Sequence, residues 1–336
     1  MISVIVPAFN AADTIDRCID SIDIAKNIHD IELIIINDGS TDETLKALSK
    51  WASVRSWITV INQENQGVSA ARNIGLDNIT GDYIVFIDAD DTIDSWYFDF
   101  VIKNAVIPDI DMLVFGRKRV LLDGSITEQK NIADEYMSKD IDQLQLHVTQ
   151  NRNIYWHVAT KVYSKKLLKG LRFDRDVKFG EDPIFNIKCL NKANYLSVVS
   201  DCPYNYYETC GSLTSSSYKP DLLQSIEAHY NARAAAHIWP DSLAEKQILL
   251  SDFARSYVEH MLPYLLNNLI YLDKKARRKE LIRIRKSFVY ENCIPNYTDR
   301  HPARGIRILI SCFSQRKYRM TLILLELIWF KRGRSQ

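Results

Sequence analysis

The stretch Tyr83-Ile84-Val85-Phe86-Ile87-Asp88-Ala89-Asp90-Asp91-Thr92-Ile93 joins five apolar, β-favouring residues to three carboxylates. An apolar run of that length, preceded by Gly81, reads as a strand buried on both faces. Its C-terminal end is where open α/β sheets bind ligands. Carboxylates crowded there raise one another's pKa unless a cation is present, so their natural partner is a divalent ion with hard oxygen ligands. Asp88 and Asp90 can reach one such ion and leave coordination positions for phosphate oxygens. The alternative is an acidic loop capping a helix that starts near Asp94.

Upstream, the pattern repeats three times. Ser3 to Phe9 reads as a buried strand closed by Pro7 and Asn10, with a helix from about Ala12 placing Ile15, Cys18, Ile19 and Ile22 on one face. Glu32 to Ile36 is a second strand, ending in Asn37-Asp38-Gly39-Ser40-Thr41-Asp42, which combines turn chemistry with an N-cap. Trp57 to Ile61 is a third, followed by Asn65-Gln66-Gly67 and a helix through Ser69 to Asn73. Such alternation predicts a mainly parallel sheet whose polar strand ends converge on one crevice. Downstream, Asp111 to Val120 with Asp123-Gly124 reads as a hairpin, followed by a polar helical stretch to about residue 150. Trp156 to Leu168, Gly180 to Leu190 and Tyr204 to Thr214 complete this region, and beyond Pro220 the pattern is helical.

In this order, Val6-Pro7-Ala8-Phe9-Asn10, Asn37 to Asp42, Asn65-Gln66-Gly67 through Ala71-Arg72-Asn73, Asp88-Ala89-Asp90-Asp91 and Gly180-Glu181-Asp182 resemble the motifs of inverting family 2 glycosyltransferases over roughly residues 1 to 215. The resemblance implies an α/β GT-A fold, Rossmann-like with a mainly parallel central sheet, and a C-terminal helical region. The catalytic domain is placed at 1–218, its nucleotide-sugar half at about 1–110 and its acceptor half at about 111–218, with a basic helical region at 219–336. It implies a UDP-sugar donor with Mn²⁺ or Mg²⁺. Pro7, Phe9 and Asn10 line the nucleotide pocket, Phe9 standing where the family usually has Tyr, and Ala89 is counted with them. Asp38 meets the uracil ring and Arg72 the base; the alternatives are a helix cap for Asp38 and a surface ion pair for Arg72. Asp88 binds ribose or orients the metal, and Asp90 is the principal metal ligand. Asp91 holds a water or caps the next helix. Asp182 is the base that deprotonates the acceptor hydroxyl, with Glu181 second, the alternative being an acidic helix N-terminus. Trp156, His157 and Lys161 fall on the acceptor side, where aromatic faces stack on sugar, the alternative for His157 being a satisfied core histidine; Tyr204, Tyr206, Tyr207 and Ser212-Leu213-Thr214 close over the diphosphate as a loop, the alternative for the tyrosines being structural packing. The implied acceptor is a glycan or lipid-linked oligosaccharide in bacterial surface-polysaccharide synthesis.

Composition fits a large globular chain. A 336-residue chain with 46% hydrophobic and 25% charged residues has an ordinary globular balance. Six cysteines without Cys-x-x-Cys or zinc spacing, and no N-terminal signal segment, point to a reducing cytoplasm. The net charge of +1 conceals an asymmetry: from Asp273 onward 17 Lys or Arg face 5 Asp or Glu, a net of +12, so the first 272 residues carry −11. Lys274 to Lys286 reads as an amphipathic cationic helix, and Ile306 to Phe313 and Met320 to Phe330 are apolar runs fenced by Arg and Lys. The longer is 11 residues, short of the roughly 20 needed to cross a bilayer. The tail therefore suits peripheral contact with the cytoplasmic membrane face; the alternative is a basic bundle packed on the catalytic domain or in a homodimer. A nucleic-acid binder is disfavoured by the acidic body, and a dinucleotide oxidoreductase by the missing Gly-x-Gly-x-x-Gly. Two rivals remain, a haloacid dehalogenase-type phosphatase with Asp88 as nucleophile and Asp90 as acid, and a catalytically inactive glycan-assembly module.

Overall fold

The computed structural model describes residues 1–26, 30–107, 109–137, 155–177, 180–208, 218–237, 239, 241–297 and 304–332. Strand β1 (Ile2–Ala8) is apolar because it is an inner strand of a parallel set. It pairs with β2 (Ile31–Asp38), from Ile2 opposite Ile31 to Ala8 opposite Asn37, and with β4 (Tyr83–Phe86), from Ile2 opposite Tyr83 to Ile5 opposite Phe86. β3 (Ile58–Gln63) lies outside β2, also parallel. Helices α1 (Ile15–Lys26), α2 (Thr44–Val54) and α3 (Val68–Asp77) follow the first three strands. Pro7 does not close β1 as expected; it continues the strand opposite Ile36, beyond the last pairing with β4.

Side chains of these strands alternate between two cores. Val4, Val6, Leu33, Ile35 and Val85 pack with α1, and Ile5, Ile34, Ile36, Ile84 and Phe86 pack with Ala71 and Leu76 of α3. Each such side chain contributes roughly 1.5–3 kcal/mol of burial, so the strands stay fixed while their C-terminal ends carry polar residues. Helix α3 lies so close to the sheet that a Cβ at Gly75 would fall 2.5 Å from the Ile5 side chain. That contact fixes the helix carrying Arg72.

Beyond β4 the sheet becomes mixed. β10 (Lys161–Ser164) runs antiparallel to both β4 and β6 (Met112–Val114), β11 (Tyr195–Val198) is parallel to β6, and β9 (Asp134–Met137) closes the edge. The order is β3-β2-β1-β4-β10-β6-β11-β9. A second sheet, unforeseen in the sequence, has the order β5 (Thr92–Ile93), β12 (Tyr204–Tyr207), β7 (Arg117–Val120), β8 (Ile126–Gln129). The expected Asp111 to Val120 strand is thus divided between two sheets. Its hairpin turn is longer than the Asp-Gly pair: Val120 faces Ile126, and Leu121 N–H donates to Ser125 O at 2.9 Å. Residues 134–137 are strand, not the expected helix, and the rest of that helical stretch to 150 lies outside the described residues. Helix α4 (Tyr97–Val101) begins three residues after Asp94, and a π-helical turn, Ile102–Val106, extends it.

The chain divides into two units, Met1–Cys210 with Ala232–Ile238, and Gly211–Asn231 with Trp239–Gln336. The second is helical. After α5 (Lys165–Leu168) and α6 (Glu181–Leu190) of the first unit come α7 (Leu222–Ala236), α8 (Leu243–Arg255), α9 (Leu262–Asn268), α10 (Lys274–Lys286), α11 (Phe288–Asn296), α12 (Arg304–Ser314) and α13 (Tyr318–Arg332). Within the second unit Tyr230 packs edge-on to Phe253, Tyr257 and Phe288, and His229 Nδ1 lies 2.7 Å from Tyr257 OH.

Candidate active site

Four loops at the C-terminal ends of β1, β2, β3 and β4 build one side of the site. Asn10, at φ 47°, ties the first two together: its N–H donates to Ser40 Oγ at 3.0 Å, and its Oδ1 accepts from Thr41 N–H at 2.8 Å. Pro7 is half-buried, and Phe9 leaves its ring exposed beside them (49%), available to a ligand instead of buried in the core. Asp38 ends β2 with a buried carboxylate. Its Oδ1 accepts from Gln63 Nε2 at 2.5 Å and Gln66 N–H at 2.8 Å, and its Oδ2 accepts from Gly67 N–H at 2.9 Å. Asp38 thereby shapes the turn that opens α3, whose next residues include Arg72.

The aspartate motif is pinned from both sheets. Ile87 N–H donates to Ile5 O, and Asp91 N–H closes a turn on Asp88 O. Tyr204 OH donates to Asp91 Oδ2 at 2.6 Å and accepts from Asp88 N–H at 3.2 Å, while Tyr207 N–H donates to Asp91 Oδ1 at 2.9 Å. Asp91 is therefore an internal strut; burial, then the Asp88 charge, push its carboxyl up to about 8 against those hydrogen bonds. Arg17 donates to Asp90 O at 2.6 Å and lies over the Tyr207 ring at 3.8 Å. Ala89 is buried between the two acids that face the crevice.

Arg72 is the centre of the arrangement. Its side chain is 4% exposed, and its guanidinium reaches Asp88 Oδ1 at 3.1 Å, Glu181 Oε1 at 2.8 Å and Asp182 Oδ1 at 2.8 Å. Burial opposes the charge, but Asp182, Asp88 and Glu181 outweigh it and hold Arg72 protonated. The ring of Phe173 lies 5.3 Å from its Cζ. The two carboxylates from the start of α6, 109 and 110 residues from Arg72 in sequence, thus meet the carboxylate beyond β4 across one cation. Enclosure by protein, then the neighbouring Asp182, raise Glu181 above the usual carboxylate range. Asp182 Oδ2 also accepts from Val158 N–H at 3.0 Å.

The acceptor-side segment is arranged unevenly. Trp156 and His157 are half-buried, and burial followed by the charge of Arg117 pulls His157 down to about 3. Lys161 is fully buried and turns its ammonium to the carbonyls of Trp156 and His157. Ser212, Leu213 and Thr214 lie outside the described residues. Tyr204 and Tyr207 take the structural alternative, as part of β12 bonded to the aspartate motif; that they anchor this motif, and that Val158 N–H partners Asp182, were not foreseen. The aromatic run at 204–207 is the one signal that pointed there.

A divalent cation fits the donor set. Among the described residues, the second oxygen of Asp88 and the Asp90 carboxylate bond to no other residue. Enclosure raises Asp90 above its ordinary range, as it does Asp88 against the opposing charge of Arg72. Among the described residues no group of three His, Cys, Asp or Glu side chains stands ready to hold a metal alone. A hard cation on these oxygens must complete its shell from ligand phosphates and water.

A family profile described as glycosyl transferase family 2 matches residues 3–171. The uncharacterized glycosyltransferase EpsJ of Bacillus subtilis is 27% identical over 340 residues, 99% of this chain and 96% of that protein. Staphylococcus aureus TarS, a poly(ribitol-phosphate) beta-N-acetylglucosaminyltransferase, is 24% identical over 317 residues, 92% of this chain and 51% of that protein. The crystal structure of TarS residues 1–349 in complex with UDP-GlcNAc superimposes with a TM-score of 0.68 at 21% identity, covering 99% of this chain and 92% of that one.

Proposed function

The chain belongs to glycosyl transferase family 2 and is a glycosyltransferase, and from that premise we propose that it moves a hexose from a UDP-sugar to an acceptor hydroxyl with inversion. The observation that carries this reading is the contact of Arg72 with Asp88, Glu181 and Asp182. It gathers donor-side and acceptor-side carboxylates within one side chain's reach.

In this reading Pro7, Phe9, Asn10, Asp38 and Ala89 border the nucleotide. Asp88 and Asp90 would hold Mn²⁺ or Mg²⁺, which would supply positive charge to offset that of the leaving diphosphate. Asp182 takes the proton of the acceptor hydroxyl as its oxygen bonds to the anomeric carbon and the bond from that carbon to UDP breaks. No covalent enzyme intermediate is formed. Trp156 and His157 border the acceptor. Support for inversion comes from TarS, described as making a β-linked product and crystallised with UDP-GlcNAc, a donor whose sugar is α-linked. The acceptor is a glycan or lipid-linked oligosaccharide of surface-polysaccharide synthesis. The phosphatase alternative has no support in the family match, and a non-catalytic module leaves the assembled carboxylates without a purpose.

The test is a screen of nucleotide-sugars for UDP release with Mn²⁺. Asp90→Ala should abolish metal-dependent UDP binding, and Asp182→Asn should spare binding and remove turnover. Loss of donor affinity in Asp182→Asn would contradict its role as base.

We further propose that the helical unit lies against the anionic cytoplasmic face of a membrane. Met320, Ile323 and Leu327 are exposed on α13, with Arg316, Lys317 and Arg319 exposed just before and within its first turn. Among the described residues no helix is long and apolar enough to cross a membrane, so the contact is interfacial. Reversing Arg316, Lys317 and Arg319 to Glu should release the protein from phosphatidylglycerol vesicles in flotation; unchanged flotation removes the idea.

A further inference from the structure

Lys161 is a charged side chain with no exposed surface, directly after the 3₁₀ turn Val158–Thr160. Its Nζ donates to Trp156 O at 2.5 Å and His157 O at 2.8 Å, and lies 3.4 Å from Thr160 Oγ1. Burying an ammonium is costly, and burial pulls this one down to about 7 although Asp182 favours its charge. The oxygens of one turn receive it.

Gathering two successive carbonyls on one ammonium imposes a shape on the backbone. His157, between them, has φ 55° and ψ 107°, on the left-handed side that a residue with a Cβ rarely adopts. Thr160 adds to the same grip, its hydroxyl donating to His157 O at 3.1 Å. With the His157 carbonyl turned toward Lys161, the N–H of the same peptide, that of Val158, points the other way. It donates to Asp182 Oδ2 at 3.0 Å, while Arg72 takes Oδ1 at 2.8 Å. The carboxylate is held at both oxygens.

We propose that Lys161 is a positioning residue: by seizing the carbonyls of Trp156 and His157 it sets the peptide whose N–H fixes the Asp182 carboxylate for proton abstraction. This rests on the reading of Asp182 as the base. A carboxylate held at both ends offers its remaining lone pair in one direction, and small misplacements of a reacting group are expensive in rate.

The experiment measures steady-state UDP release from the nucleotide-sugar that the full-length wild type turns over fastest, alongside UDP affinity by calorimetry. Lys161→Met keeps length and removes the ammonium. Val158→Pro removes the N–H and sets the ring Cδ in its place, against the Asp182 carboxylate, while restraining His157 before it. Each variant should lower kcat about 10- to 100-fold, with KM for donor and UDP affinity within about twofold of wild type. The double variant should cost no more than either change alone, because both break the same link. Multiplying effects, or weaker UDP binding, would mean that Lys161 supports the fold and nothing more. Wild-type kcat in Lys161→Met overturns the proposal outright. If Val158→Pro does not fold, Lys161→Met in the Asp182→Asn background replaces it, and a further fall in residual kcat there overturns the proposal equally. Wild-type kcat in Asp182→Asn would instead remove the base assignment on which this rests.

Discussion

The ends of β2 and β4 both carry carboxylates, and the molecule satisfies them in opposite ways. Asp38 is enclosed by neutral donors, the Gln63 amide and the N–H groups of Gln66 and Gly67, all from the next βα unit, β3 with α3. Asp88 depends on charge, sharing the guanidinium of Arg72 with Glu181 and Asp182. A carboxylate held by amides is part of the scaffold. A carboxylate held by a shared cation is left in a site whose charge balance changes when another cation or an anion arrives.

The largest effect that tests this contrast is Arg72→Met. Three carboxylates, 38%, 15% and 18% exposed, would lose their common cation, and breaking a buried pair costs about 3–5 kcal/mol. Chemical denaturation should register that loss together with the disappearance of UDP release. Adding Asp88→Asn should return part of the stability, since it removes one of the repelling charges; no recovery would mean that Arg72 acts by packing on Phe173. Next in size is Asp38→Ala, which strands buried donors at about 1–3 kcal/mol and should change stability without altering the response to Mn²⁺. A loss as large as that of Arg72→Met would erase the distinction.

The smallest effect belongs to Glu32, a second carboxylate of the amide-held kind. Burial pushes it up, but hydrogen bonds from Ser3, Thr80 and Gly81 prevail and hold it below its ordinary range. A carboxylate depressed in the folded state stabilises above its unfolded pKa, and that stability is lost as pH falls through the folded value. Glu32→Gln should therefore cost roughly 1 kcal/mol at neutral pH and progressively less as the solution is acidified below pH ~4. A penalty constant with pH would show that shape, not charge, matters there.

The four parallel strands and their polar ends were legible because β1, β2 and β4 are buried on both faces and read as nearly unbroken apolar runs, and the partly exposed edge strand β3 still carries Ile58, Val60 and Ile61. The second sheet was not. Its β7 is Arg-Lys-Arg-Val with every residue half-buried, and β5 has two residues, too few for any period to register. The five motif loops pointed to one crevice, yet the Arg72 contact with Glu181 spans 109 residues, and local pattern carries no trace of it. Lys161 was expected among acceptor-side groups by the resemblance of its segment to the family; only the strand pairing of β10 between β4 and β6 accounts for its enclosure.

Helix α7 has a consequence for the history of the polypeptide. Its final turn is counted with the first unit, where Arg233 reaches Tyr155 OH at 3.1 Å and the Ala236 carbonyl accepts from Asn191 at 2.6 Å. Neither unit is therefore one uninterrupted segment of the gene. A cassette cut at codon 219 leaves the first unit without its segment 232–238, and a cut after the helix leaves the second without its segment 211–231, so a single crossover that swaps tails between related genes divides one unit or the other.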